Sequence, residues 1–411
     1  MRTKHLLALL AGVALVGCVT EMEYEVNPQD EQTKIAFSSP VMYDNNVGTR
    51  ANYHGEIGGH QYTDGGTVYS YPRTEDFQIY AVEHTGNFAG WAAATEAGFN
   101  NTAISYDPNL DGWAPKSNGL YYFWPGGEQK MSFAACSPAD LDQAADWNGR
   151  VYAADGLTLT NFKVPANSAE QFDLMFSKRI VNQTSQNMGH SANYYSGIPI
   201  QFQHALSSIR FSISNTSAYT VVLTKITLYG VADTGTFKEN LEEDETDYGK
   251  YVIKTSPEST GNVAPAWNLG TNPTLTTSDQ AYLAFQGTVT FMEAARYVSE
   301  LAGDDDTVNQ LLLLPQTLTE SATVVIEYTV NGASAKKTVK LKDAKIVNRD
   351  ENGANETVSN QTFGEWKMGT RYTYRLVYTE AAADQDKIYF APSSDNWADA
   401  GIAVIDLAGA N

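Results

Sequence analysis

The sequence predicts a mainly β protein, and three observations support that prediction. Short runs that alternate apolar and polar residues recur beyond residue 50, which is the period of a strand with one buried face. Clusters of Gly, Asn and Asp separate these runs, as turns separate the strands of a β-sandwich. The chain has 24 Tyr and 16 Phe but only 18% charged residues, and aromatic residues favour strands. These features exclude an all-helical protein.

The N-terminus is typical of an exported lipoprotein. In residues 1–17, basic Arg2 and Lys4 precede an apolar run that is too short to span a bilayer, which predicts a signal peptide. The sequence LVGC at 15–18 looks like a bacterial lipobox, so Cys18 is predicted to begin the mature chain and to carry acyl chains. Several acyl chains anchor a protein firmly. A plain signal peptide followed by a chance cysteine is the alternative.

Charge and cysteine content limit the partners of the chain. It carries 27 Lys and Arg against 48 Asp and Glu, a net charge of −21. We find no window that collects the basic residues into a patch, which argues against nucleic acid as a partner. An acidic surface is repelled by anionic lipid, which leaves the acyl anchor as the expected membrane attachment. Cys136 lies among apolar residues, which predicts a small buried side chain.

The chain divides into a tether and two expected domains. Residues 18–50 are predicted to form a polar tether that includes one strand, beginning near residues 34–37. The polar stretch 181–195 has no hydrophobic period, and we place a domain boundary there. The expected β-sandwich domains therefore cover residues 51–195 and 196–411.

The predicted strands are those whose alternate residues share an apolar face. Before the boundary these faces are Phe77, Ile79 and Ala81, and then Met131, Phe133 and Ala135. After the boundary they are Ile198, Ile200, Phe202 and His204; Ile209, Phe211 and Ile213; Val222, Ile226 and Leu228; Val324, Ile326, Tyr328 and Val330; and Tyr372, Tyr374, Leu376 and Tyr378.

Three local signals complete the secondary-structure prediction. Asn331-Gly332 lies between two alternating runs and predicts a hairpin turn. Helical spacing of apolar residues at 291–302 predicts a helix that connects strands. Ser137-Pro138 is predicted to begin a second, short helix, with Ser137 as its N-cap.

The chain shows few signs of site chemistry. Asp107, Asn109 and Asp111 match the first half of a calcium loop, but the twelfth position of that loop is Asn118 rather than Glu. Simple Asx turns are the alternative at this place. His204 lies in line with apolar residues, which predicts a core histidine rather than a general base. We therefore expect no enzymatic activity and no cofactor.

Several segments together resemble the fimbrillin-like family of bacterial surface lipoproteins, the subunits and accessory proteins of type V pili. Their order and spacing extend over nearly the whole chain. The segments that carry the resemblance are the lipobox at Cys18, TRA at 49–51, YYFWP at 121–125, FAACSP at 133–138, QFDLMF at 171–176, FQHAL at 202–206, LPQ at 314–316 and the run from Trp366 through Gly369 to Tyr374.

The resemblance implies a fold and a mechanism of assembly. The fold is two transthyretin-like β-sandwich domains in tandem. In the mechanism, a lipoprotein precursor reaches the outer membrane and a trypsin-like protease cuts after an Arg, here between Arg50 and Ala51. The first strand, at residues 34–41, then leaves, and a strand of a neighbouring pilus subunit takes its place. The donor is expected in the C-terminal tail, where Ile402 and Val404 alternate with Ala403 and Ile405.

The implied function is that of a fimbrial protein at the cell surface, in the stalk, anchor or tip, which serves adhesion to a host or bacterial ligand. Two alternatives stay open. Residues 34–41 can form a permanent edge strand, with Arg50 an ordinary surface residue. The chain can also be a surface lipoprotein that captures glycans by stacking on Trp113, Trp147 or Trp397.

Overall fold

The structure of the protein is a computed structural model. It describes residues 35, 37, 41–42, 62–64, 67–69, 71, 73–88, 95–96, 99, 102–108, 112–116, 122, 124–125, 128–139, 150–153, 156–177, 180–184, 198, 200–239, 266–294, 296–298, 310–349, 356–379 and 398–406. Within these residues no helix has the length and apolar character needed to cross a membrane.

The first half of the chain contains strands of two to nine residues. In chain order they are β1 (Val41–Met42), β2 (Tyr62–Asp64), β3 (Thr67–Tyr69), β4 (Phe77–Thr85), β5 (Thr95–Glu96), β6 (Thr102–Asp107), β7 (Gly112–Pro115), β8 (Gln129–Ser137), β9 (Arg150–Ala153), β10 (Gly156–Lys163), β11 (Met175–Ser177) and β12 (Ile180–Gln183).

The second half of the chain also contains strands of two to nine residues. In chain order they are β13 (Gln201–His204), β14 (Ser207–Asn215), β15 (Val221–Tyr229), β16 (Thr234–Lys238), β17 (Ala266–Asn268), β18 (Tyr282–Thr290), β19 (Arg296–Tyr297), β20 (Gln310–Leu313), β21 (Gln316–Thr317), β22 (Thr323–Val330), β23 (Ala333–Lys340), β24 (Lys345–Arg349), β25 (Glu356–Thr362), β26 (Glu365–Trp366), β27 (Thr370–Tyr378) and β28 (Ala398–Asp406). Short 3-10 turns lie at Ser168–Glu170, Ser278–Gln280 and Leu341–Asp343.

These strands form four main sheets. A nine-stranded sheet has the order β1-β13-β11-β8-β4-β6-β7, with β12 beside β8 and β5 beside β4. A seven-stranded sheet has the order β19-β14-β27-β28-β24-β25, with β20 beside β14. Two four-stranded sheets have the orders β18-β15-β22-β23 and β17-β16-β10-β9. Two short two-stranded sheets, β2-β3 and β21-β26, complete the described architecture. The prediction of a mainly β protein is confirmed.

The predicted apolar faces lie where alternation places them. Phe77, Ile79 and Ala81 of β4 are fully buried and pack on Phe133 of β8 within one hydrophobic cluster. In the second half, one face of the seven-stranded sheet and one face of the sheet that contains β15 and β22 bury their side chains in a second, larger cluster. Sheet packing on sheet by these faces is the arrangement of a β-sandwich.

The hairpin predicted at Asn331-Gly332 is confirmed. Both residues have positive φ, 46° and 83°, which is the backbone of a type I′ turn. The turn joins β22 to β23, whose residues pair from Val330↔Ala333 to Thr323↔Lys340 without a shift.

One predicted face is wrong at its first residue. Val222 was expected to share a face with Ile226 and Leu228, but Leu223 is the buried residue and Val222 is half-buried on the other side. The register of β15 against both neighbouring strands shifts between Leu223 and Lys225. This β-bulge inserts one residue, which reverses the direction of every side chain before it.

Both predicted helices are wrong where the structure describes them. Within 291–302, Arg296–Tyr297 is a strand that pairs with Ser212 and Ile213 of β14, and only Val298 is helical among the described residues of that range. Phe291 and Val298 are both buried, so their helical spacing reflects two separate contacts with the core. Ser137 is the last residue of β8, and its hydroxyl hydrogen-bonds with the hydroxyl of Tyr71 instead of capping a helix.

Strands from both sides of residue 195 share sheets. β13 follows the expected boundary and pairs with β11 before it, and β10 pairs with β16. The larger cluster likewise joins Leu159 and Phe176 to Leu228 and Phe237. The division into domains 51–195 and 196–411 stays a prediction.

Gly230 is the position where a side chain is least tolerable. Its φ is +79°, and a Cβ there would lie 1.8 Å from the backbone oxygen of Ser321. Gly270 has the same φ, but a Cβ there meets nothing within 4 Å. We expect Gly230→Ala to lower the free energy of unfolding by about 3 kcal/mol or more, from left-handed strain plus the clash. Gly270→Ala should cost only the strain, about 1 kcal/mol. Urea unfolding measures both, and equal losses would contradict the close approach.

Candidate functional site

The segment that precedes β1 is the first strand predicted from the sequence, and it is deeply buried. Ile35 is 1% exposed and Phe37 is 0% exposed. Both belong to a cluster that we call the aromatic core, which consists of Ile35, Phe37, Tyr71, Phe77, Ile79, Ala81, Phe99, Ile104, Trp113, Met131, Phe133, Ala135, Met175, Ile180, Ile198, Ile200 and Phe202. The segment is therefore part of the interior.

Backbone pairing places this segment between the two ends of the nine-stranded sheet. The N–H of Phe37 donates to the carbonyl oxygen of Trp113 at 3.0 Å, and the N–H of Trp113 donates to the carbonyl oxygen of Phe37 at 3.3 Å. Phe37 also forms a parallel bridge to Ile198. Trp113 belongs to β7, at one end of the sheet, whereas Ile198 precedes β13 near the other end. Phe37 thus pairs with both ends of the nine-stranded sheet.

Further pairs extend the segment in each direction. The N–H of Ile35 donates to the carbonyl oxygen of Tyr122 at 2.8 Å. Beyond Phe37, Val41 and Met42 pair in parallel with Gln201 and Phe202 of β13. We call residues 35–42 the first strand: its described residues Ile35 and Phe37 pair on the β7 side of the sheet, and Val41 and Met42 pair on the β13 side.

The ring of Phe37 lies at the centre of the aromatic core. It contacts the rings of Phe77, Phe99 and Phe133 edge to face, with centroid separations of 6.3, 5.9 and 5.9 Å. Edge-to-face pairs add about 0.5–1.5 kcal/mol each beyond the burial of apolar area. Loss of the first strand would expose these three rings at once.

The β7 side of the site is held by charged and aromatic contacts. The guanidinium carbon of Arg73 lies 3.9 Å from the ring centroid of Tyr106, and that ring packs on Trp113 at 5.9 Å. Lys116 pairs with Asp76 just beyond β7. A cation over an aromatic face is attracted by its quadrupole. These contacts hold β7 in place independently of the first strand.

Tyr71 supports the same side from within the core. Its ring stacks on Phe202 at 5.6 Å, and its hydroxyl lies 2.9 Å from the hydroxyl of Ser137 and donates to the carbonyl oxygen of Asp76 at 3.2 Å. Burial raises the pKa of Tyr71 well above its usual range, and the hydrogen bond with Ser137 opposes that rise. Tyr71 therefore stays neutral and adds no charge to the aromatic core.

Alkaline pH should unfold the protein steeply. Burial raises the pKa of Tyr71, Tyr282, Tyr372 and Tyr374 above the ordinary value of 10.0, so above pH 10 the folded state keeps protons that the unfolded chain loses. Each tyrosine steepens the loss of stability by up to about 1.4 kcal/mol per pH unit. Circular dichroism and tyrosinate absorbance should show one transition above pH 10. Tyr71→Phe should make this transition about a quarter less steep, and stability that stays flat through pH 12 would contradict the prediction.

Most site residues predicted from sequence lie outside the described residues. These are Cys18, Arg50 and Ala51, and two of the three calcium candidates, Asn109 and Asp111. The third candidate, Asp107, ends β6 and pairs across a hairpin with Gly112 of β7. Among the described residues no group of three or more His, Cys, Asp or Glu side chains is placed to hold a metal ion. The calcium site stays a prediction.

Two other predictions are confirmed, because both side chains are in the core. Cys136 is fully buried. His204 is 4% exposed, and its Nδ1 lies 2.9 Å from Oδ1 of buried Asp173. This pair joins β13 to the residues just before β11.

The proposed use of Trp113 as a glycan platform is wrong. Trp113 is 2% exposed and packs on Tyr71 and Phe77 with centroid separations of 5.4 Å to each. A ring buried in this way has no face for a sugar. Trp147 and Trp397 lie outside the described residues.

The predicted donor strand is also paired. β28 runs parallel to β27 from Thr370↔Ala398 to Val377↔Asp406, and Ile346 of β24 pairs with Ala403 on its other side. The tail is therefore an internal strand of the seven-stranded sheet, although a loosely held tail would be the simpler donor.

The fold and site define a class of protein: a mainly β chain whose first strand crosses from one end of a sheet to the other. Residues 72–392 match the fimbrillin-like family, which is more than half of the chain. The protein belongs to the fimbrillin-like family. No curated protein matches the sequence.

Several solved structures are similar at low sequence identity. A protein from Bacteroides uniformis, assigned to cell adhesion, is 12% identical, with 85% of this chain and 94% of that chain covered and a TM-score of 0.43. A protein from Bacteroides ovatus with the same assignment is 13% identical, with 84% and 91% covered and a TM-score of 0.39. A fimbrial anchor protein from Porphyromonas gingivalis is 10% identical, with 72% and 92% covered and a TM-score of 0.21.

Proposed function

We propose that this chain is a non-enzymatic pilus protein of the outer cell surface, a subunit, anchor or tip, that assembles by exchange of its first strand and serves adhesion. In this proposal the chain is exported as a lipoprotein, lipidated at Cys18, and cut between Arg50 and Ala51 by a trypsin-like protease. The observation that carries the proposal is the position of residues 35–42 between the two ends of the nine-stranded sheet.

In this proposal the first strand is a removable unit. Its backbone pairs with β7 through Phe37 and with β13 through Val41 and Met42. A cut after Arg50 leaves this strand attached to the body only by hydrogen bonds and side-chain packing. Release of the strand would leave Trp113 with unpaired backbone groups at a sheet edge, and such edges pair readily with another strand.

The aromatic core makes the vacated place selective for an apolar strand. Phe77, Phe99 and Phe133 would face a groove that only a buried side chain in the place of Phe37 could fill. Exposed aromatic surface costs free energy in proportion to its area. A neighbouring subunit that inserts a strand with an apolar residue at this position would recover that free energy.

We propose the tail, β28, as the donated strand. It leaves β27 and β24 of its own sheet when a neighbour offers an open groove. The connection from Tyr378 to Ala398 spans roughly 60 Å when fully extended, which is enough to reach an adjacent subunit. Such an exchange replaces pairs within one chain by equivalent pairs between chains, as in domain swapping.

Arg50 variants test the proposal. Cells that produce the parent chain or Arg50→Lys should yield heat-resistant polymer ladders on immunoblots, because both side chains suit a trypsin-like protease. Arg50→Gln should yield only the uncut precursor. Electron microscopy of the purified cut protein should show fibres. Polymers of equal amount from Arg50→Gln would contradict the proposed processing.

A further inference from the structure

β23 is an open strand edge in the second half of the protein. It ends the sheet β18-β15-β22-β23 and pairs with β22 along its whole length. In the described part of the chain no strand pairs with its other side. None of its eight residues is buried, so no part of the chain that the structure describes covers this edge.

The edge is rich in lysine. This finding corrects the prediction that no window of the sequence collects the basic residues into a patch. Lys336, Lys337 and Lys340 lie in β23, and Lys342 and Lys345 follow at once. Glu320 pairs with both Lys340 and Lys342, and Glu327 lies opposite Lys336 in register. Residues 333–345 thus contain five lysines and one acidic residue, Asp343, in a protein whose net charge is −21.

The two faces of β23 differ. Lys336, Thr338 and Lys340 are exposed on the outer face. Ala335, Lys337 and Val339 alternate with them and are half-buried, and Ala335 and Val339 pack against the larger hydrophobic cluster. A strand added here would be favoured by acidic residues on one face and apolar residues on the other, because cross-strand pairs of each kind stabilise a sheet.

One stretch of the sequence has this pattern. At 21–26 the residues are EMEYEV, with three Glu alternating with Met22, Tyr24 and Val26. No other stretch alternates three acidic with three apolar residues. In an extended conformation its carboxylates would face Lys336 and Lys340, while its apolar side chains would lie on the face of Ala335, Lys337 and Val339.

We propose that β23 binds residues 21–26 of a second copy of the chain by antiparallel or parallel strand addition. Copies with a large negative charge repel one another. The lysine strip supplies the opposite charge at one place, where main-chain hydrogen bonds add to the attraction. The contact exists only in uncut chains, because a cut after Arg50 removes residues 21–26. It involves another sheet than the one that holds the first strand, so it does not depend on strand exchange.

Cysteine pairing tests the contact in the purified, uncut full-length chain. Glu23→Cys in one chain and Thr338→Cys in another should form a disulfide-linked dimer on mixing and mild oxidation. The control replaces Thr338→Cys by Thr288→Cys, an exposed position on β18 at the opposite edge of the same sheet. Dimer from the Thr338 pair at least about tenfold above the Thr288 control is expected. Equal dimer yields from the Thr338→Cys and Thr288→Cys mixtures would overturn the proposal. So would a disulfide that forms only when both cysteines are in the same chain.

Charge exchange separates strand addition from plain attraction. Lys336→Glu with Lys340→Glu should reduce the dimer about tenfold, because the reversed charges turn attraction between the two strands into repulsion. Adding Glu21→Lys with Glu25→Lys should restore it, and Lys163→Glu should have no effect. A peptide of residues 19–27 should compete with the dimer, whereas the more acidic peptide 239–247 should compete at least tenfold less. Equal competition by the two peptides would overturn the proposal.

Discussion

Phe37→Ala should lower the free energy of unfolding of the precursor by about 3–5 kcal/mol, the range for removing a buried Phe. Phe37 is 0% exposed and contacts three other Phe rings, so the vacated space cannot be filled by a small shift of one neighbour. Small proteins are stable by only about 5–15 kcal/mol, so the loss is a large part of the total. Urea unfolding followed by tryptophan fluorescence measures it.

Phe88→Ala is the matched control for this prediction. Phe88 is 2% exposed and packs with Val82 and Ala134 in a separate cluster, away from the first strand. It should cost a comparable amount in the precursor. After cutting and removal of residues 1–50, the Phe37 variant and the parent are the same molecule, whereas the Phe88 variant still differs. Less than about 1 kcal/mol of loss for Phe37→Ala would contradict the central position of that ring.

Removal of the whole first strand should have a still larger effect. A body without residues 35–42 loses Ile35 and Phe37 from its core together with the backbone pairs to β7 and β13. We expect it to be marginally stable, to bind an apolar dye strongly and to melt far below the precursor. A synthetic peptide of residues 33–43, added in excess, should restore the melting temperature of the precursor by binding only the folded body.

Peptide variants decide whether this rescue is specific. The peptide with Phe37→Ala should bind roughly 100-fold more weakly, the equivalent of about 3 kcal/mol. A peptide of the same composition in scrambled order serves as the control for general stickiness. Rescue by all three peptides alike, or a strand-free body as stable as the precursor, would show that no groove opens.

Alternation predicted the strands well wherever one side of a sheet faces the core. Phe77, Ile79 and Ala81, and the hairpin at Asn331-Gly332, follow from period and turn chemistry alone. The assignment of Val222 to the buried face of β15 was wrong, because the β-bulge that shifts the register has no recognisable pattern in the sequence. The prediction of a helix at 291–302 was wrong because Arg296–Tyr297 pairs with β14. This pairing joins residues that are distant in sequence, and it overrides the helical spacing of the apolar residues.

The candidate site could be predicted only in part. The alternation of Ile35 with Phe37 indicated a strand, but its neighbours are Trp113 and Ile198, which are far away in the chain. Trp113 was assigned to the surface because a single aromatic residue among turns carries no sign of burial. Ile198 and Ile200 were recognised as an apolar face, yet their contact with the first strand depends on how the sheet curves, which local sequence does not encode.

The chemical N-terminus of the chain in purified surface fibres tests the central claim most directly. Mass spectrometry of the intact subunit, with sequencing of its first residues, decides between two results. Exchange of the first strand predicts chains that begin at Ala51 and lack residues 35–42. Fibres built of chains that still carry Ile35 and Phe37 would contradict it, because the strand would then be a permanent part of each subunit.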